Sequence, residues 1–411
     1  MMDNRGPALQ NRDMGADFLR KMAWLGSERT LGYLRIVALL NVAMLAVLAV
    51  TSRGGVDING FLLGSDFISF WTAGHMLHAH ADVYDSAAHI AAQREFFASS
   101  DGYTAFFYPP SFLPFCWPLG LLGYFPALIL WLATTGALYA AAVRAWGRRA
   151  GIALPLWLLI AAFPPVAIVI THGQTSFLAA AFLGLGALMI AERPVMAGVL
   201  FGLATIKPQL GIVVPLVLLS SRQWKAFAAA ALTVLLLAVV STQAFGVEIW
   251  TNWLAASGQA RGAMEAGAVP FGKMITTFAA ARLLGLPMEA AYVLQWGSGL
   301  AVAGLLVHAA WNRGYSPRLG AAMLAGAPLA TPFALDYDMV LLAVPLLWLA
   351  GEGLRSGFAP YEKLAIAIAF IVPVFARPVA LSAGVPIAPP IMALLFAVVI
   401  RRVCTAPVHA A

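Results

Sequence analysis

The feature that most constrains this chain is the recurrence of apolar runs long enough to cross a bilayer. A spanning helix needs roughly 20 apolar residues, fewer where neighbouring helices shield it. Such runs lie at about 34–51, 108–144, 152–171, 175–191, 195–206, 209–220, 225–245, 290–311, 318–334, 338–352, 361–376 and 388–402. In hydrocarbon every backbone polar group needs an internal partner, which helices provide. The pattern therefore predicts an all-α polytopic membrane protein of about twelve transmembrane helices. Hydrophobic residues make up 61% of the 411 positions and charged residues 10%, a balance that a soluble single-core protein does not need.

Charge sets the orientation. The run 108–144 contains Pro109, Pro110, Pro114, Pro118 and Pro126, so it reads as one crossing with a broken or re-entrant entry, or else as a hairpin. Counted as one crossing from a cytoplasmic N-terminus, it places 18 of the 25 Lys and Arg residues inside and 7 outside. The hairpin would invert every later loop and break the positive-inside rule. Both termini are thus predicted to be cytoplasmic, in a bacterial inner (plasma) membrane. The implied layout is a tail over 1–33, a single transmembrane domain over 34–403 with long outer loops at about 52–107 and 246–289, and a short tail over 404–411. No cleavage site follows the first apolar run, so it is expected to stay as an anchor. The basic residues are dispersed through short loops, which argues against nucleic acid as a partner. Cys116 and Cys404 are too few and too far apart for a disulfide framework.

The first outer loop carries two stretches with helical spacing, DFISFWTAGHMLHAHA and SAAHIAAQREFFAS, expected to lie along the membrane surface. The second loop contains MITTFAAARLLGL, another interfacial candidate. Asp66 stands just before the first stretch, where it can cap the helix, serve as a general base, or do both. His75, His78, His80 and His89 share that loop, but 75 and 78 lie on one helix face while 80 points elsewhere, so no metal site is expected. The tyrosines of VYD (83–85) and YPP (108–110) suit interfacial anchoring or ligand binding equally well.

Four polar breaks fall at the outer ends of predicted helices: THGQ (171–174), IKPQ (206–209), LDYD (335–338) and Arg377. Lys207 is the most telling, because a cation at membrane depth is costly unless it meets an anion. It can snorkel to the interface. Asp336 and Asp338 can pair with Lys207 or Arg377 as a structural network, or hold sugar hydroxyls. His172 and Gln174 can each donate and accept hydrogen bonds, which fits a polyhydroxylated ligand or a helix cap.

Several of these pieces together resemble glycosyltransferase family 87, a family of the GT-C superfamily that uses polyprenyl-phosphate sugars. They are SDFISFWTAGHML…ADVYD (65–85), FFYPPSFLPFCWPLG (106–120), HGQTSFL (172–178), GLATIKPQLG (202–211) and PFALDYDMVLLAVPL (332–346), in family order. The resemblance implies a GT-C type bundle of about a dozen helices with surface helices in the first outer loop. It also implies inverting transfer of a hexose, with mannose first among the sugars, from a polyprenyl-phosphate donor to a lipid or glycan acceptor at the periplasmic face. In that scheme Asp66 is the general base, and Lys207, Arg377 and Arg261 hold the donor phosphate. Sugar and acceptor binding falls to His172, Gln174, Tyr108, Asp336, Tyr337 and Asp338. A lipid monophosphate leaves without a bridging metal, so neither metal nor cofactor is implied. Mannose-transferring members carry histidines in the late motif where this chain has LDYD, which leaves the acceptor open.

Two other classes compete. A lipid or sugar transporter would distribute ionisable groups through the membrane depth, whereas here they gather at one side. A polyprenyl-linked glycan ligase or polymerase would place arginines and a histidine in a large late outer loop, whereas here the longest outer loop comes first.

Overall fold

The computed structural model describes residues 18–97 and 104–405. Over these residues the protein is all-helical, with isolated bridges in place of strands. Seven helices are long and apolar enough to cross a membrane: Ser27–Thr51, Tyr124–Ala150, Trp224–Phe245, Met288–Arg313, Asp336–Ser356, Glu362–Ala383 and Ala388–Thr405. Three shorter apolar helices, Ser176–Met189, Pro194–Ile206 and Pro208–Ser220, accompany them. The first long helix begins at Ser27, seven residues before the apolar run that announced it. Gly26 is its cap in extended backbone, and polar Ser27, Glu28, Arg29 and Thr30 extend it beyond the hydrophobic stretch.

The helices differ sharply in what they face. Asp336–Ser356 is 83% buried along its apolar stretch, while Ser27–Thr51 is 6% buried. The first is the bundle's core element and the second presents side chains such as Leu39 and Val50 outward, as a helix facing lipid does. The proline-rich part of 108–144 folds as a chain of short turns, Pro110–Phe112, Leu113–Cys116 and Trp117–Leu121, and then as the single long helix Tyr124–Ala150. Proline lacks the N–H an interior helical residue supplies, so repeated prolines confine this segment to single turns.

The two stretches in the first loop are helices, Phe67–His78 and Ser86–Phe96. The first is not a two-faced surface helix. Ten of its residues are buried, from Phe67 to Leu77, because it packs inside the protein against the Trp117–Leu121 turn. Gly74 and Gly120 make that approach possible: a Cβ on Gly74 would collide with the Cys116 carbonyl, and one on Gly120 with the Gly74 backbone. In the second loop, Phe278 and Ala279 of helix Thr277–Leu283 are fully buried in a small cluster with Met264, Met274 and Ala291. The segment MITTFAAARLLGL thus packs one face inward, while Leu284 stays exposed.

Candidate active site

The polar breaks converge because the backbone pins them together. Gly173 ends helix Pro164–His172 at φ +66, and a Cβ there would stand 2.6 Å from the Cβ of Phe67. Glycine alone meets both demands. This turn lets the Asp66 N–H donate to the His172 carbonyl at 2.9 Å and the Gly64 N–H to the Thr171 carbonyl at 3.0 Å. Asp66 occupies the cap position of helix Phe67–His78, yet its side chain makes no cap bond. Its carbonyl receives the Ser69 hydroxyl at 2.8 Å instead. Asp85 shows the contrast: its carboxylate accepts the N–H groups of Ala87 and Ala88, as an ordinary cap does.

The half-buried Asp66 carboxylate is held by one side chain. Gln174 Nε2 donates to Asp66 Oδ2 at 2.7 Å and to the Tyr337 hydroxyl at 3.1 Å. A carboxylate only accepts, so the amide NH2 must face Asp66. Gln174 Oε1 in turn accepts the Tyr108 hydroxyl at 2.9 Å and the Thr175 N–H at 3.0 Å. Gln174 is buried and its hydrogen-bonding capacity is committed, while the other oxygen of Asp66 has no hydrogen-bond partner among the described residues. Tyr108 is packed among Phe70, Phe106 and Phe112.

A second layer lies beneath. Lys207 Nζ donates to Asp338 Oδ1 at 2.7 Å and to Ser176 Oγ at 2.9 Å, and Ser176 Oγ donates to the same Asp338 oxygen at 2.7 Å. The ammonium also sits 4.7 Å from the centre of the Tyr337 ring. Asp338 Oδ2 accepts the Leu335 N–H at 3.1 Å. Both charged side chains are 3% exposed, so the pair is a sealed floor. Two independent links in the HGQTS stretch thus serve the two layers, Gln174 the upper and Ser176 the lower.

Beside them, Asp336 accepts the Tyr337 N–H at 2.9 Å and faces Arg377 Nη1 at 3.6 Å. That separation is an ion pair but too long for a hydrogen bond. His172 Nδ1 lies 2.9 Å from the Ile168 carbonyl, which only accepts, so Nδ1 carries a hydrogen. The His172 ring meets the Tyr337 ring with centres 5.7 Å apart.

Lys273, which no sequence motif singles out, completes the group. The Ile275 N–H donates to the Ala334 carbonyl at 3.0 Å and Met274 bridges to Leu335, which straps the second outer loop onto LDYD. Burial and then the nearby Arg377 push the Lys273 ammonium below its ordinary range, while Asp66 and Asp336 pull it back up. The only sequence signal was a lone cation in PFGKMIT. Its neighbours come from elements far away in the chain, so spacing alone could not reveal them.

Of the sequence candidates, Asp66, Tyr108, His172, Gln174, Lys207, Asp336, Tyr337, Asp338 and Arg377 are brought together. Arg261 is not. It is exposed on helix Glu248–Glu265. The loop histidines are engaged separately. His89 is buried with Nδ1 at 3.0 Å from the Val83 carbonyl, His78 lies 3.0 Å from the Trp117 carbonyl, and His75 stacks on Trp71.

The model of glycosyltransferase family 87 matches residues 106–335 of the 411, more than half of the chain. The matched stretch includes Tyr108, Gln174, Ser176, Lys207 and Lys273, and leaves Asp66, Asp336, Asp338 and Arg377 outside it. No curated protein and no solved structure matches the chain.

Proposed function

From the premise that this chain belongs to glycosyltransferase family 87, we propose that it moves a hexose, mannose first, from a polyprenyl-phosphate donor to a lipid or glycan acceptor, with inversion at the anomeric carbon. The carrying observation is the Asp66 carboxylate: excluded from helix capping, tethered through one oxygen by Gln174, and open at the other. A general base must be held in place yet keep a free lone pair for the incoming proton. Arg377 pairs with Asp336 at 3.6 Å, and Lys273 feels the charges of Arg377, Asp66 and Asp336.

In this reading the free oxygen of Asp66 takes the proton of an acceptor hydroxyl as that oxygen attacks the anomeric carbon. The carbon–phosphate oxygen bond breaks on the opposite face, and the polyprenyl phosphate leaves with the electron pair. Negative charge grows on the phosphate, where Arg377 and Lys273 stabilise it. We assign these two cations the role that Lys207 was expected to share, because the ammonium of Lys207 is buried and already bound to Asp338 and Ser176. Lys207 then fixes Tyr337 and the late motif from below. His172, half-buried beside Tyr337, is assigned to the sugar hydroxyls, and buried Asp336 to holding Arg377. Gln174, Tyr108 and Tyr337 position the base, so they act through Asp66 rather than on the sugar. Arg261 has no part in this reading.

The charge distribution supports an orientation with both termini in the cytoplasm and this cluster at the periplasmic face of the inner membrane. The bundle of about a dozen crossings that the family implies would count all three shorter apolar helices, and further short helices such as Pro317–Ala330, as spans. The test is transfer by the purified protein in nanodiscs, supplied with a polyprenyl-phosphate hexose and a total membrane-lipid extract. Asp66→Asn should lower the turnover by about 10²- to 10⁴-fold. Undiminished transfer by that variant would remove Asp66 as the base.

A further inference from the structure

A cavity of about 480 Å3 lies at the far end of helix Tyr124–Ala150, lined by Arg144, Gly147, Arg148, Ile152, Leu156 and Leu159 among others. The near end of the same helix belongs to the site, since the Tyr124 hydroxyl donates to the Leu63 and Gly64 carbonyls beside Asp66. The helix has 27 residues, so the two ends are about 40 Å apart at 1.5 Å per residue. The cavity is therefore on the opposite face of the membrane from the site.

Its chemistry is two-sided. Arg144 and Arg148 are four residues apart on one helix face, both exposed, and neither has a carboxylate partner among the described residues. Like charges at this spacing repel, and a bound anion between them would reverse the sign. They are not needed to cap the helix: Gly151, at φ +72, and Ile152 donate their N–H groups to the Arg148 and Gly147 carbonyls at 3.1 and 2.9 Å. That cap also turns the chain back, so Ile152, Leu154, Leu156 and Leu159 form an apolar wall facing the arginines. Leu158, 1% exposed, packs with Ala38 and Ala162 and anchors the wall. Trp157 beside it is 62% exposed, the placement of an indole at the membrane–water boundary.

We propose that this cavity binds the phosphate headgroup of an anionic phospholipid, with Arg144 and Arg148 on the phosphate and the acyl chain along Leu156 and Leu159. A free hydrated phosphate would gain nothing from the apolar wall, whereas a phospholipid satisfies both sides at once. The inference needs only the membrane setting and holds whether or not the sugar-transfer reading does.

The experiment uses the full chain in nanodiscs of phosphatidylcholine with increasing phosphatidylglycerol, and counts lipid retained on the ejected protein by native mass spectrometry. The wild type should retain phosphatidylglycerol over phosphatidylcholine. The paired Arg144→Gln and Arg148→Gln variant should lose that preference by on the order of tenfold, and Arg149→Gln should keep it. Inorganic phosphate in the buffer should not displace the lipid. Equal retention by wild type and paired variant, or displacement by inorganic phosphate, overturns the proposal. If the paired variant unfolds in phosphatidylcholine discs, spin-labelled lipid on the wild type decides: an immobilised fraction no larger for phosphatidylglycerol than for phosphatidylcholine overturns it.

Discussion

Lys207 and Asp338 meet at 2.7 Å with both side chains 3% exposed, although 131 residues separate them. Removing one partner of such a pair strands the other charge in a dry interior, which costs about 3 kcal/mol or more, while replacing both with apolar groups of similar size is far milder. Lys207→Met alone and Asp338→Leu alone should each lower the melting temperature strongly in detergent. The double variant should recover much of the loss. A double variant as unstable as the sum of the singles would show that the two residues act independently.

Gln174 separates positioning from chemistry. Gln174→Leu leaves Asp66 intact but removes the bond that aims it, along with the acceptor for Tyr108. Misplacing a reacting group by about 1 Å costs on the order of a hundredfold in rate, so kcat should fall by about that much while KM changes little. Steady-state kinetics in nanodiscs would read the split. A change confined to KM would mean that Gln174 binds sugar directly.

Much of this architecture could be read before the structure, and the unread part has a consistent cause. Long apolar runs such as 225–245 and 361–376 announce their helices because lipid imposes one rule on every residue in them. The prolines of 109–118 announced a broken entry for the same local reason. Asp66, Gln174 and Lys207 stood out because polar groups among apolar neighbours need partners. Which partner each would find was not legible: Lys207 could have met Asp336, Asp338 or a ligand, and only packing of IKPQ against LDYD decides it. Lys273 is not legible in the sequence because a lysine in a long loop looks solvated until Met274 and Ile275 tie that loop to Ala334 and Leu335. The near-complete burial of Phe67–His78 was not legible because the turn that covers it, Trp117–Leu121, is forty residues further on.

Lys273 carries the pH prediction. Its ammonium is held below the ordinary lysine range by burial and then by Arg377. If the charged form stabilises the departing phosphate, activity is full while Lys273 is protonated and falls as pH rises through its lowered pKa. The alkaline limb of the rate profile should therefore begin below the range of a free lysine, about 10.4. Lys273→Arg keeps the charge throughout and should move that limb upward, while Lys273→Met should abolish it and lower turnover over the pH range in which the wild-type lysine is protonated. An unchanged alkaline limb in the arginine variant would remove Lys273 from the reaction.

Gly173 tests whether backbone geometry or side chains hold the site together. At φ +66 an alanine is strained, and its methyl carbon would lie 2.6 Å from the Cβ of Phe67, so either the turn or helix Phe67–His78 must shift. Phe67 cannot yield easily, being fully buried against Tyr124, Phe70 and Trp131. The shift should break the bonds from Asp66 and Gly64 to His172 and Thr171, moving the base off Gln174. Gly173→Ala should lose about 1 kcal/mol or more of stability and lose activity out of proportion to that. Gly151→Ala is the matched control, since its φ of +72 imposes comparable strain with nothing within 4 Å of the added methyl, far from the site. A loss of activity in the Gly151 variant as large as in the Gly173 variant would mean that strain alone, and not the alignment of Asp66, accounts for the effect.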